Sequence, residues 1–261
     1  MEWISAKTKM RVALTLLPML FFSCASPQAV SQADLSFTGK QIRIETGTAC
    51  GARNINAGGQ SFSLVKFPGN QNFHLHFHNV NHRTYQMLGL VDGNYPSYRF
   101  YDDSYAHNAW AINGGRDNYK IVYGANFILR LAEPIPGTDN LNTAAINSVI
   151  AHEAAHILQY TWGMQGTTKN IELMADAISG FVASGQERNS RVARDGLRIA
   201  QKHAYNSGDY SFADPSHHGT PSERLAAYMW GFDNGESFIH GEWVALDEFV
   251  ALAARRFSVS Y

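Results

Sequence analysis

The chain has 261 residues, 45% of them hydrophobic and 16% charged, so it can bury a sizeable core and its length suits one domain or a domain and a half. Twenty-one basic residues against 22 acidic ones leave a formal net charge of −1, which removes the electrostatic case for nucleic acid or an anionic membrane surface as a partner.

The first segment differs in kind from the rest. Lys7, Lys9 and Arg11 precede an apolar run from Val12 to Phe22, too short to span a bilayer but suited to the h-region of a secretory signal peptide. Residues 1–33 are therefore read as a signal peptide and set apart from the fold. Ser23-Cys24-Ala25 and Ser31-Gln32-Ala33 both offer small residues for cleavage. Leu20-Phe21-Phe22-Ser23-Cys24 also resembles a bacterial lipobox, with Phe21 where Leu is usual, which would lipidate Cys24 and attach the chain to a membrane. The other reading is a cysteine discarded with the signal. In either case Cys50 is left without a partner for an internal disulfide and is expected to be a buried structural thiol.

Residues 34 to 100 read as a β-rich N-terminal region, and β-type runs continue to about residue 126. The runs are Gln41 to Glu45, Ser61 to Phe67, Asn72 to His78, Arg83 to Leu90 and Tyr119 to Tyr123, punctuated by Gly58-Gly59, Pro68-Gly69 and Gly114-Gly115. His74, His76 and His78 alternate with Phe73, Leu75 and Phe77, and His82 follows. On a strand the three histidines share one face, either as a solvated surface or as a second site for zinc, copper or nickel.

From Ala125 onward the period becomes helical, giving an α+β architecture with strands first and helices after. Asn142 is the expected N-cap of a helix whose apolar stripe is Ile146, Val149, Ile150, Ala154, Ile157 and Leu158, with Gly163 in the left-handed position beyond its end. This helix carries His152-Glu153-Ala154-Ala155-His156. Positions 152 and 156 share a face, so two imidazoles can grip one Zn²⁺ while Glu153 sits beside them. His-Glu-x-x-His arises by chance in about 2% of chains of this composition. The downstream Glu172 and Asp176 sharpen it: four apart on a second helix, one can complete a tripod while the other accepts a hydrogen bond from an imidazole.

Arg188, Arg191, Arg194 and Arg198 form a basic stripe, read as a solvated face. Thr220-Pro221-Ser222-Glu223 is a capping box with proline at the first helical position, which puts His218 just before a defined helix start. The spacing of Trp243, Leu246, Phe249, Val250 and Ala253 gives a core-facing helix at the end.

Three blocks carry a family resemblance: His152-Glu-Ala-Ala-His156 with Ile157-Leu-Gln-Tyr-Thr-Trp-Gly163, Glu172-Leu-Met-Ala-Asp-Ala-Ile-Ser-Gly180, and His218-Gly-Thr-Pro-Ser-Glu-Arg224. They resemble the bacterial neutral zinc metallopeptidases and, more distantly, the wider gluzincin group, over residues 105–235. The resemblance implies a zincin-like domain over residues 101–261, with one zinc per chain held by His152, His156 and Glu172. It also implies Glu153 as general base toward the attacking water, and Asp176 orienting His152 from behind. The family pattern places His218 as a donor to the transition-state oxyanion and Arg224 as an ion partner behind the ligands, although a structural role for both stays open. Asn108, Ala109, Trp110 and Ala111, running on to Ile112, resemble the edge strand along which gluzincins lay an extended peptide; a plain hairpin is the other reading. The chain departs from the family in its short connector between His156 and Glu172 and in residues 34–100, which match nothing in it.

The function expected from these residues is an exported zinc metallopeptidase, an endopeptidase acting on proteins or peptides of the bacterial cell envelope, periplasmic or lipid-anchored, or else secreted. The alternative is a catalytically silent, chaperone-like envelope protein that keeps a zinc-stabilised peptidase fold. Retention of Glu153 favours the enzyme. Oligomeric state is not set by the sequence.

Overall fold

The computed structural model describes residues 41–43, 61–66, 69–91, 94–104, 108–134, 141–186, 191–241 and 246–261. The signal segment with Cys24, and also Cys50, Gly58-Gly59, Pro68, Arg188 and Trp243, lie outside the described residues. The described residues fall within one compact unit, Ser36–Tyr261.

Strands β1 (Gln41–Arg43), β2 (Ser61–Val65), β3 (Ser97–Tyr101), β4 (Ala109–Ile112) and β5 (Lys120–Gly124) form a sheet in the order β1-β2-β3-β5-β4. All neighbours are antiparallel except β3 and β5, which run parallel with Phe100 opposite Tyr123. The chain returns from the edge strand β4 to β5 through a tight turn in which Asn118 N–H donates to the Gly115 carbonyl at 3.0 Å. Helix α2 (Ala125–Leu131) follows β5 directly. Its first amides are satisfied at a distance by the buried Asp103 carboxylate, which accepts from the N–H groups of Asn126 and Phe127 at 2.8 Å each.

One helix, α1 (Gln71–Met87), replaces the strands expected over Asn72–His78 and Arg83–Leu90. The Asn70 side chain caps it by accepting from Phe73 N–H at 2.9 Å. The buried residues Phe73, Phe77, Val80, Asn81, Thr84 and Tyr85 recur at helical spacing, whereas Leu75, which an alternating strand would bury, is 46% exposed. Phe77 packs its ring at 5.1–5.5 Å from those of Tyr98, Phe100 and Tyr123, so α1 lies on the sheet. The polar atoms this buries are paired: the Tyr85 and Tyr123 hydroxyls both donate to Asn81 Oδ1.

A short pair, β6 (Glu133–Pro134) and β7 (Leu141–Asn142), leads into helices α3 (Ala144–Thr161), α4 (Thr168–Gln186), α5 (Arg191–Asn206), α6 (Pro221–Gly241) and α7 (Leu246–Arg256). Asn142 therefore ends β7, and Thr143 takes the N-cap position of α3 that was expected of Asn142. Thr143 makes no side-chain cap of its own; its Oγ1 lies 2.9 Å from His76 Nε2 on α1.

The turn after α3 resolves the short connector. Gly163 adopts φ of 65°, Gly163 N–H donates to Tyr160 O and Met164 N–H to Gln159 O, a Schellman closure that needs a residue without Cβ strain. Gln165 then pairs with Ser260, so the C-terminal residues pin the connector. Packing between α4 and α6 is close enough to touch backbone. A Cβ at Gly180 would sit 2.0 Å from the Tyr228 carbonyl oxygen, and one at Gly231 would sit 1.8 Å from that of Ala177. In α7 the expected core positions Phe249, Val250 and Ala253 are buried, and Arg198 on α5 is exposed. Among the described residues no helix is long and apolar enough to cross a membrane.

Candidate metal centre

Helix α3 is buried along most of its length, and its histidines point where α4 crosses it. His152 Nε2 and His156 Nε2 are 3.0 Å apart, His152 Nε2 lies 3.4 Å from Glu172 Oε2, and His156 Nε2 lies 3.6 Å from Glu172 Oε1. Four-coordinate zinc with bonds of about 2.0–2.1 Å holds neighbouring ligand atoms roughly 3.3 Å apart, a spacing that these three distances bracket. The donor set, two imidazole nitrogens and a carboxylate, can hold a metal ion. The His152 side chain keeps 14% exposure while those of His156 and Glu172 are buried, so the site opens on the His152 side.

Each ligand is held from behind. His152 Nδ1 lies 3.0 Å from Asp176 Oδ1, an ion-pair contact. His156 Nδ1 contacts Gln159 Oε1 at 2.7 Å, and Gln159 Nε2 donates to the Ile171 carbonyl at 2.9 Å. Because that carbonyl can only accept, it fixes the amide with Oε1 toward His156. His156 must then carry its proton on Nδ1, which leaves the Nε2 lone pair for a metal. Gln159 thereby couples one ligand to the residue preceding another, Glu172. Sequence reasoning passed over it, although its position three residues after His156 on one helix was the available signal.

Arg224 closes the site from α6. Its Nε donates to Asp176 Oδ2, its Nη2 to Asp176 Oδ1 at 3.0 Å, and its Nη1 lies 3.1 Å from Glu172 Oε2. The capping box forms as expected: Glu223 N–H donates to Thr220 Oγ1 and Thr220 N–H to Glu223 Oε2. Lys169 pairs with Glu223 at 2.9 Å, tying the start of α4 to the start of α6. Ser179 Oγ donates to the Ser148 carbonyl across the seam between α3 and α4.

Burial opposes charge on His152, but Asp176 and Glu172 outweigh it and lift its pKa to about 10. Burial lowers His156 to about 4. For Glu172 and Asp176 burial works against ionisation, yet the imidazoles and the Arg224 guanidinium hold both below the ordinary carboxylate range. Burial pushes Glu153 up to about 7. One of its oxygens, Oε2, is buried without a partner, and the Ala111 backbone amide donates to the carboxylate. A buried carboxylate oxygen with no partner, next to a convergent donor set, marks where a water or substrate group belongs.

The structure thus brings together His152, Glu153, His156, Glu172, Asp176 and Arg224. Of the expected substrate strand, Ala109, Trp110 and Ala111 form the edge strand β4 with Ile112, all buried, and Ala111 reaches Glu153. Asn108 precedes it, its carbonyl accepting from Gly124 N–H and the Tyr101 hydroxyl. His218 sits beside Asp209, with its backbone N–H donating to Asp209 Oδ2 at 3.1 Å and its Nδ1 3.6 Å from the same oxygen. His217 also pairs with Asp209, through Nδ1 at 2.7 Å. A histidine that the motifs did not mark, His203 on α5, feels the site: burial and then the charges of His152 and Arg224 lower it to about 4, so it is neutral.

No family model, curated protein or solved structure matches the chain.

Proposed function

We propose that the protein is an exported zinc-dependent endopeptidase that cleaves peptide bonds of cell-envelope proteins. The observation that carries this reading is the convergence of His152, His156 and Glu172 beside a buried Glu153 whose Oε2 has no partner. A zinc ion held by those three residues would supply a Lewis acid for a carbonyl oxygen and make nearby water more acidic.

The chain's own groups do the remaining work. Glu153 is placed to take a proton from the attacking water and to return it to the leaving amine nitrogen. A cation held at the tripod would lower the Glu153 pKa further and favour its base form. Asp176 and Gln159 hold the two imidazoles in position, and Arg224 keeps the Asp176 and Glu172 carboxylates ionised. β4 ends the described sheet beside Glu153, and pairing of an extended peptide along it would require its buried edge to be uncovered. His218, or the neutral His203, is a candidate donor to the developing oxyanion. Export rests on residues 1–33, and membrane attachment rests on lipidation of Cys24.

The test is Glu153→Gln in protein assayed for zinc content and for hydrolysis of casein or a peptide library. About one zinc per chain in both proteins, with cleavage reduced about 100- to 10,000-fold in the variant, is the expected result. Zinc in both without cleavage by either would favour a chaperone-like binding protein, and equal cleavage by both would remove Glu153 from the mechanism.

A further inference from the structure

Helices α3 and α4 carry the tripod, and the connector between them is gripped from outside by residues that no motif marked. Gln165 N–H donates to the Ser260 carbonyl at 2.7 Å, and Ser260 N–H donates back to the Gln165 carbonyl at 2.9 Å, a reciprocal antiparallel pair. The ring centroids of Trp162 and Tyr261 lie 5.7 Å apart. The buried Val259 reaches Gly166: a Cβ built on that glycine would stand 3.5 Å from both Val259 Cγ2 and Ile171 Cγ1. The gripping segment is itself anchored. Phe257 N–H and Val259 N–H donate to the Ala253 and Ala254 carbonyls at the end of α7, and the Phe257 ring packs edge-on against Trp230 of α6 at 5.5 Å.

We propose that residues 258–261 are a positioning clasp for the metal centre: by pairing with Gln165 they fix where α4 starts, and with it the ligand Glu172 and the brace on His156. Ile171, which like Val259 lies against Gly166, immediately precedes Glu172. Its carbonyl accepts from Gln159 Nε2 at 2.9 Å, and Gln159 Oε1 meets His156 Nδ1 at 2.7 Å. Its N–H donates to Thr167 O at 3.0 Å, within the connector. A displaced connector therefore moves one ligand and the partner of another together, whereas His152 is braced separately through Asp176 and Arg224. A tripod whose third ligand comes from a second helix holds its metal only while the two helices keep a fixed relation. The turn by itself supplies little of that restraint, because Gly163, at φ of 65°, and Gly166 both leave the backbone free to take other conformations. The Ser260 pair removes that freedom. This inference rests on the tripod holding zinc and not on peptide hydrolysis.

The experiment measures zinc affinity by chelator competition, alongside the urea unfolding midpoint, for the native protein, a chain ending at Phe257, Ser260→Pro and Ser260→Ala. Proline removes the N–H that Ser260 donates to Gln165, whereas alanine keeps both backbone bonds and gives up only the Oγ contact at 3.4 Å. The shortened chain and Ser260→Pro should each bind zinc about 10-fold more weakly, the lower end of what loss of a brace behind a metal ligand costs. Ser260→Ala should bind as the native protein does. In a Gln159→Leu background Ser260→Pro should cost less than it does alone, because part of its effect runs through the same brace. Native zinc affinity in Ser260→Pro, with only the unfolding midpoint lowered, overturns the proposal, and so does a Ser260→Ala effect as large as that of Ser260→Pro. Should the shortened chain fail to fold, the two Ser260 variants decide. A native protein that takes up no zinc would overturn the tripod itself, and the clasp with it.

Discussion

Helices α1 and α3 each carry a pair of histidines four residues apart, yet they are different objects. On α3 the pair is roofed by α4 and α6, which bring Glu172, Asp176 and Arg224 onto it, and Gln159 locks one ring from within the helix. On α1 the pair His78 and His82 faces outward between two tyrosines. Spacing puts two imidazoles on one face; what lies across from them sets coordination number, tautomer and charge. The α3 site is thus a property of three helices, and the close approach of α4 and α6 at Gly180 and Gly231 is what delivers the third.

The strongest way to break this contrast is to remove the shared cation. Arg224→Met would leave the Asp176 and Glu172 carboxylates buried with no guanidinium between them. Stability of the zinc-free protein should fall by about 3–5 kcal/mol, measured by urea unfolding. Zinc should restore part of the loss, because the ion supplies replacement charge to Glu172. An unchanged unfolding midpoint would mean that the two carboxylates take up protons freely and that Arg224 is not what holds the cluster.

The same cluster predicts how the zinc-free protein responds to alkali. His152 is raised from 6.5 to about 10 in the folded state, so its contribution to stability is full below pH 6.5 and is lost as pH rises through 10. Glu153, raised from 4.5 to about 7, acts in the same direction over its own, lower window. Thermal unfolding of zinc-free protein should therefore show Tm dropping between pH 6.5 and 9.5. Zinc uptake at pH 8 should release about one proton, that of His152, detectable by titration calorimetry in buffers of different ionisation enthalpy. Release of none would show that Asp176 and Glu172 do not keep His152 protonated.

The two imidazoles of α3 offer a finer contrast, since His152 is backed by an anion and His156 by a neutral amide. Gln159→Leu removes both the acceptor for His156 Nδ1–H and the tie to Ile171. Zinc affinity should weaken about 10- to 100-fold, with the fold retained. Gln159→Glu keeps an acceptor, and should hold affinity closer to the native value than Gln159→Leu does. Equal affinities in all three proteins would reduce Gln159 to a packing residue.

Local chemistry was legible in the sequence and long-range placement less so. His152, His156, Glu172 and Asp176 could be read because each pair sits at a fixed helical interval. The capping box at Thr220 announced the start of α6 for the same reason. Arg224 was marked only by family resemblance, since nothing within α6 reveals that Gly180 and Gly231 let it reach α4. Helix α1 reads as a strand in the sequence because Phe73 and Phe77 fall on one face in either period, two residues per repeat or 3.6. Only Leu75 between them distinguishes strand from helix, and it is exposed. The Asn70 cap, three residues before Phe73, was the local signal that outweighs the alternation. His203 carried no signal at all, because its relation to the site depends on how α5 packs.

The smallest change should separate the two helices most cleanly. Asn70→Ala removes the hydrogen bond to Phe73 N–H and should lower stability by about 1 kcal/mol. It leaves every contact of the α3 centre in place, so zinc affinity should be unaltered while the unfolding midpoint drops. If zinc affinity fell together with stability, α1 would have to be coupled to the centre, and the His76 contact with Thr143 at the head of α3 is the route by which that would happen. His76→Ala would then reproduce the loss of affinity with the Asn70 cap intact.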